Sequence, residues 1–234
     1  MPRTIINQFK NIMTNFDLIA EAIEMINAGD NEAAIARLKQ FTALNTSKVK
    51  GGKIKIYDWT DDKSIHTYAH GVYHDATDSV AVATETHVLL VSKSDYQADF
   101  AGKIIDKKGE AVDGRFLDYK RVIPNSADMT EISINRDRIA RLLSDMRAER
   151  KLDKSIDYAA FNIGCTDTPL FFSPKFCKLL LTLPEGKFYY FSNKTRPLLY
   201  KSNDGNYVAV AMPVCVKDEY IGLEKLLRSQ CGLY

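Results

Sequence analysis

The chain has 234 residues, 45% of them hydrophobic, 26% charged and 10% aromatic, which suits one large or two compact domains. That balance excludes a disordered, collagen-like or rod-like coiled-coil chain. The net charge of +2 divides into 16 Lys/Arg against 17 Asp/Glu over 1–124 and 16 against 13 over 125–234, so any nucleic-acid contact must come from a local basic face.

The chain opens with helical spacing. Phe16, Ile19, Ile23 and Ile26 form one stripe behind an Asn15 N-cap, with Asp17 in the first turn. Gly29 stops that helix, and Asp30 or Asn31 starts a second with the stripe Ile35, Leu38 and Phe41. A helical hairpin is expected. From Lys53 to Tyr57 the period becomes two, and strands are expected near 65–74 and 79–92. Lys107-Lys108-Gly109-Glu110 reads as a hairpin turn, and Pro124-Asn125-Ser126 as a domain boundary.

The second half begins with a strand at Glu131–Ile134 and a helix from Asn135 to Lys151, whose buried stripe is Ile139, Leu142, Leu143 and Met146. Strands follow at 157–163 and 168–172, then a short helix opened by Ser173 and Pro174. Three further strands are read at 187–192, 197–202 and 207–213, with a turn at Asn203-Asp204-Gly205, and a terminal helix at 217–228. The class is α+β: antiparallel sheets with helices covering one face.

No run approaches the roughly 18 apolar residues of a membrane span. The greasiest window, Phe176 to Leu183, carries Lys178 in its middle, and Arg3, Lys10 and Asp17 interrupt any secretory segment. A soluble, cytoplasmic protein without membrane contact is expected. Cys165, Cys177, Cys215 and Cys231 form no CxxC pair, so neither zinc nor a disulfide framework is expected. His66, His70 and His74 are four residues apart, but on a strand of roughly 3.3 Å per residue they would stand about 13 Å apart, too far for one metal. They read as solvent-facing sheet histidines. Neither a Walker loop nor a GxGxxG motif is present, Asp61-Asp62 falls in a turn, and no nucleophile has a visible base. The expectation is a protein without catalysis, cofactor or metal.

The helix 135–151 carries Arg136, Arg138, Arg141, Arg147, Arg150 and Lys151, interleaved with Asp137, Asp145 and Glu149. Guanidinium forks match phosphate oxygens and release counterions, so this is the candidate face for duplex DNA, with Lys175 and Lys178 of the next helix beside it. The competing reading is a solvated face with i, i+4 pairs such as Arg141 with Asp145.

Three segments carry a family resemblance. Ala83-Thr84-Glu85-Thr86-His87-Val88-Leu89 resembles the ATDGHRL signature of the bacterial replicative sliding clamp, Gly114–Pro124 (GRFLDYKRVIP) its GRFPDYRRVIP segment, and Tyr207–Val214 (YVAVAMPV) its closing YVVMPM segment. The order is also that of the clamp's middle and last domains. Thr86 and Val88 replace the family's glycine and arginine, and Leu117 its proline. The stretch from Val91 to Gly114 is too short for the helix and strands the clamp has there, and nothing corresponds to the clamp's first domain. The resemblance implies a DNA-clamp-like fold of two domains, 1–124 (the helical hairpin plus a shortened clamp-like domain) and 125–234 (a clamp-like domain with a helical extension).

The resemblance also implies a processivity-type partner of bacterial DNA replication that captures short peptides of polymerase and repair proteins, holds double-stranded DNA without reading sequence, and assembles with further copies. Carried over by matched position, the peptide pocket would take Thr84, Thr86, His87, Val88 and Leu89 from one wall, Leu117, Arg121 and Val122 from another, and Val210, Met212, Pro213 and Val214 from the third. An alternative is a clamp-derived adaptor from a mobile element that binds proteins without encircling DNA. The chain's last residues, Gln230-Cys231-Gly232-Leu233-Tyr234, resemble the Gln-x-x-Leu-Phe peptides that clamp pockets capture.

Overall fold

The structure is a computed structural model that describes residues 15–45, 52–155, 158–164, 169–191, 196–216 and 225–227. The chain divides into two compact units, Met1–Lys48 and Val49–Tyr234.

The first unit contains helices α1 (Asn15–Asn27) and α2 (Asn31–Asn45). Gly29 sits at φ +80°, where a Cβ would be strained, and Asp30 accepts the Ala33 amide at 3.1 Å to open α2. Ala22 and Ala34 are buried, whereas the expected stripe residues Ile23, Ile26, Ile35 and Leu38 stay 41–52% exposed. Small side chains permit close helix approach, so the alanines sit inside and the longer residues point away.

The second unit is built on a nine-stranded, fully antiparallel sheet. Its strands are β1 (Val72–Asp75), β2 (Val80–Thr84), β3 (Val88–Ser92), β4 (Ile104–Ile105), β5 (Ala111–Val112), β6 (Thr130–Ile132), β9 (Gly186–Tyr190), β10 (Leu198–Ser202) and β11 (Tyr207–Ala211). They lie in the order β5-β4-β1-β2-β3-β11-β10-β9-β6. A smaller sheet contains β12 (Lys225–Leu227), β7 (Tyr158–Asn162) and β8 (Phe171–Phe172) in that order. Helices α3 (Arg136–Leu152) and α4 (Pro174–Thr182) complete the α+β architecture. Asn135 caps α3 by accepting the Arg138 amide, and Ser173 caps α4 through the Phe176 amide with Pro174 in the first turn.

Period two sorts the strands between two cores. Ala81, Ala83, Val88, Leu90, Leu198, Tyr200, Ala209 and Ala211 pack with Ile139, Leu142, Leu143 and Met146 of α3, with Phe176 and Leu180 of α4, and with Trp59. On the opposite face Val80, Val82, Leu89, Val91, Leu199 and Val210 pack with Tyr119, covered by Phe116, Leu117, Ile123 and Met129. β2 and β3 are therefore buried on both faces.

Several expectations require correction. Ile56–Trp59 is a 3₁₀ turn, not part of a strand, because three residues per turn bring Ile56 and Trp59 to the same buried side. Of 65–74, Thr67–Ala69 is another 3₁₀ turn and only Val72 onward joins the sheet. The 79–92 run is two strands joined through Glu85–His87. Pro124 is not where the chain divides: β3 pairs with β11, so one sheet takes strands from both sides of it. The expected terminal helix is β-structure at Lys225–Leu227, paired with β7; 217–224 and the 230–234 peptide-like end lie outside the described residues.

Candidate binding site

Two of the three resembling segments meet by strand pairing. Antiparallel β3 and β11 set Leu89 opposite Val210 and Val88 opposite Ala211, and the Met212 amide donates to the His87 carbonyl at 2.8 Å. The third segment crosses the same face. Leu117 and Ile123 pack on the cluster containing Leu89 and Val210, and Tyr119 is buried in it.

Tyr119 fastens that crossing. Its hydroxyl donates to Asp75 Oδ2 at 2.8 Å and lies 3.3 Å from Asp78 Oδ2, while Lys120 Nζ reaches Asp78 at 2.7 Å and Asp75 at 3.6 Å. Burial pushes the Asp75 carboxyl up, but the Tyr119 hydroxyl, the Thr77 amide and Lys120 together hold it below its ordinary value. Burial first, then the Asp75 hydrogen bond, drives the Tyr119 hydroxyl far above its ordinary value, so it stays a proton donor. A cleft of about 570 Å³ opens beside this anchor, walled by Tyr73 stacked on Phe116 at 4.9 Å and by Ile104, Leu117 and Asp118. Asp75 and Tyr73 lie outside the segments that carry the resemblance; their alternation on one strand face was the available signal.

Exposed on this region's surface are Met212 and Val122, 43% and 42% accessible, with Thr86 and His87 at the β2–β3 turn. Pro213 is half-buried, and Arg121 extends into solvent with Nε 2.9 Å from Asp118. Three expected pocket residues point elsewhere. Val88 faces the α3 side because side chains alternate along β3. Thr84 is buried, donating its hydroxyl to the Val88 carbonyl and accepting the Thr86 amide, so it shapes the turn. Val214 donates its amide to Phe171 and packs with Ala160, Phe171 and Val216.

The basic residues also divide. Arg136 is buried and donates to the carbonyls of Leu183 and Pro184, each at 2.7 Å. Arg138 donates to the Gly164 carbonyl at 2.6 Å, and Lys175 pairs with Glu85. The two arginines serve the fold by satisfying backbone carbonyls, and Lys175, half exposed, is engaged by a carboxylate. Arg141, Arg147, Arg150, Lys151 and Lys178 are exposed. Asp145 pairs with Lys225 from β12, not with Arg141 as its spacing suggested.

His74 is buried, not solvent-facing: its Nδ1 accepts the Gln97 amide, and its ring lies near Tyr96 and Phe100. His70 bonds the Ser64 carbonyl, and His66 stacks on Tyr68. Among the described residues no His, Cys, Asp or Glu cluster could hold a metal ion, and no helix is long and apolar enough to cross a membrane. Cys177 is buried and its thiol is pushed up by desolvation; Cys215 is exposed.

No protein-family model and no curated protein matches the chain. Among solved structures the chain is similar to bacterial sliding clamps, the beta subunits of DNA polymerase III. A clamp from Bartonella birtlesii bound to griselimycin is 19% identical, with 69% of this chain and 63% of that chain covered and a TM-score of 0.48. The clamp of C. crescentus is 18% identical, with 69% and 62% covered and the same TM-score, and the beta subunit of Thermotoga maritima is 14% identical over 69% and 63%, again at 0.48. The chain spans less than two thirds of the length of each.

Proposed function

We propose that the chain is a non-catalytic, clamp-like binding protein that captures short peptides of polymerase or repair proteins. One observation supports this reading. The segments that carry the resemblance are far apart in the chain, yet Leu89, Leu117 and Val210 join one apolar cluster, with Val122 and Met212 accessible to solvent. A shallow apolar surface with polar edges suits the aliphatic and aromatic anchors of a linear peptide.

The test is fluorescence anisotropy with a labelled Gln-x-x-Leu-Phe peptide. Saturable binding is expected, weakened about tenfold or more by Met212→Asp or Val122→Asp, which corresponds to at least ~1.4 kcal/mol. Absence of binding, or wild-type affinity in both variants, overturns the reading.

A second activity, contact with nucleic-acid phosphates through α3, is favoured by the exposure of Arg141, Arg147, Arg150 and Lys151 while Lys225 engages Asp145 and Glu149. It predicts duplex binding that is insensitive to sequence and steep in salt. Peptide capture without duplex binding would leave the adaptor reading standing.

A further inference from the structure

The tail segment β12 pairs antiparallel with β7, setting Lys225 opposite Phe161 and Leu226 opposite Ala160. That pairing delivers Lys225 to α3. Its ammonium lies 3.2 Å from Glu149 Oε1 and 3.5 Å from Asp145 Oδ2, and 5.7 Å from the centroid of the Tyr158 ring. Asp145 and Glu149 are four residues apart, so they share one row of the helix, and Arg141 heads that row. Without a cation from another element, the row would place two carboxylates beside the arginines expected to meet phosphate.

We infer that Lys225 offsets the acidic row of the α3 solvent face, acting on Asp145 and Glu149 and not by touching nucleic acid. The inference rests on the phosphate-contact reading of α3. Its physical basis is that carboxylates within a Debye length of a phosphate repel it, and a lysine seated between the two cancels about half of that field. Tyr158 and the β7 pairing hold the ammonium in place, which lowers the entropy cost that makes most surface ion pairs weak. Docking of β12 and duplex binding are then coupled, and each strengthens the other by the same factor.

The experiment measures binding of the full chain to a labelled duplex of arbitrary sequence at low salt. Lys225→Ala should weaken affinity about fivefold, whereas Lys225→Arg, which keeps the charge, should not. Asp145→Asn with Glu149→Gln should bind more tightly than wild type, and adding Lys225→Ala to that pair should leave an affinity between the two. Duplex binding should also slow hydrogen exchange of the Leu226 amide. Wild-type affinity in Lys225→Ala overturns the inference, as does a triple variant that binds no more tightly than wild type, which would mean that Lys225 meets phosphate directly. If Lys225→Ala fails to fold, the acid-neutral pair decides alone: affinity no higher than wild type overturns the inference. Failure of the wild-type chain to bind any duplex overturns the reading of α3 instead.

Discussion

The Tyr119 hydroxyl donates to the Asp75 carboxylate at 2.8 Å, across 44 residues of chain, while its ring packs in the cluster that contains Leu89 and Val210. One side chain thus ties the Gly114–Pro124 connection to the end of β1 and fills the floor beneath Leu117. The segment that most resembles the clamp signature is held by this contact, so the position of Leu117 and Val122 depends on a partner, Asp75, outside that segment.

Tyr119→Phe should therefore lower stability by about 1.5–3 kcal/mol, the usual worth of a hydrogen bond to a charged group. It should also weaken peptide capture. Asp75 is held below its ordinary value of 3.8, so its stabilisation is complete above that pH and is lost as the pH falls through the depressed folded value. The gap between wild type and Tyr119→Phe should accordingly shrink below about pH 4 in urea titrations. A gap that is constant from pH 7 to pH 2 would contradict this assignment.

His74 predicts a second pH effect. Burial lowers its folded pKa below the ordinary 6.5, and Asp95 only partly opposes that. Stability linked to His74 is therefore intact above 6.5 and declines as the pH falls through the lowered folded value. His74→Gln keeps an acceptor for the Gln97 amide but cannot titrate. The variant should show a flatter stability profile than wild type between pH 7 and about pH 5, measured by thermal or urea unfolding.

The sequence reveals the strands from Gly186 through Ala211 and both capped helices of the second unit, and marks Val80 through Ser92 as β-structure without the turn that divides it. Those signals are local: a side-chain period of two, Gly205 or Gly109 at a turn, Ser173 before Pro174. What could not be read is long-range. Val88 and Leu89 both fall within one motif segment, but only pairing with β11 decides which cores they enter. Arg136 looks like a phosphate ligand until Leu183 and Pro184 appear 47 and 48 residues away with their carbonyls turned toward it. Lys225 sits in a run with a helical period, but the open edge of β7 recruits it into a strand, an instance of tertiary pairing overriding local preference.

The arginines of α3 should separate in two assays. Arg136→Met strips two carbonyls of a buried donor and should cost about 2 kcal/mol or more, with little effect on intrinsic nucleic-acid affinity. Arg141→Ala with Arg147→Ala should change stability by no more than about 0.5 kcal/mol each. The pair should nevertheless reduce the log–log salt slope of duplex binding by about 2. Similar unfolding curves for both sets would refute the division.

Thr86 occupies the position of the clamp signature's glycine and has φ +80°, in the left-handed region where a β-branched side chain is crowded. The turn adopts that conformation because the Thr86 amide donates to Thr84 Oγ1 while the Glu85 amide reaches the Val88 carbonyl, closing β2 onto β3. The Thr86 hydroxyl also lies 3.1 Å from His87 Nδ1, an exposed contact with little net stabilising value. Replacing Thr86 by glycine removes the Cβ strain, roughly 1–2 kcal/mol, and adds unfolded-state entropy worth about half as much. Thr86→Gly should therefore stabilise the protein by about 0.5–1 kcal/mol, seen as a higher urea midpoint at unchanged slope. Thr86→Ala, which keeps the Cβ and loses the hydroxyl and the γ-methyl, should gain less than the glycine variant. A glycine variant no more stable than wild type would mean that the hydroxyl contact offsets the strain, and the alanine variant would then fall below both.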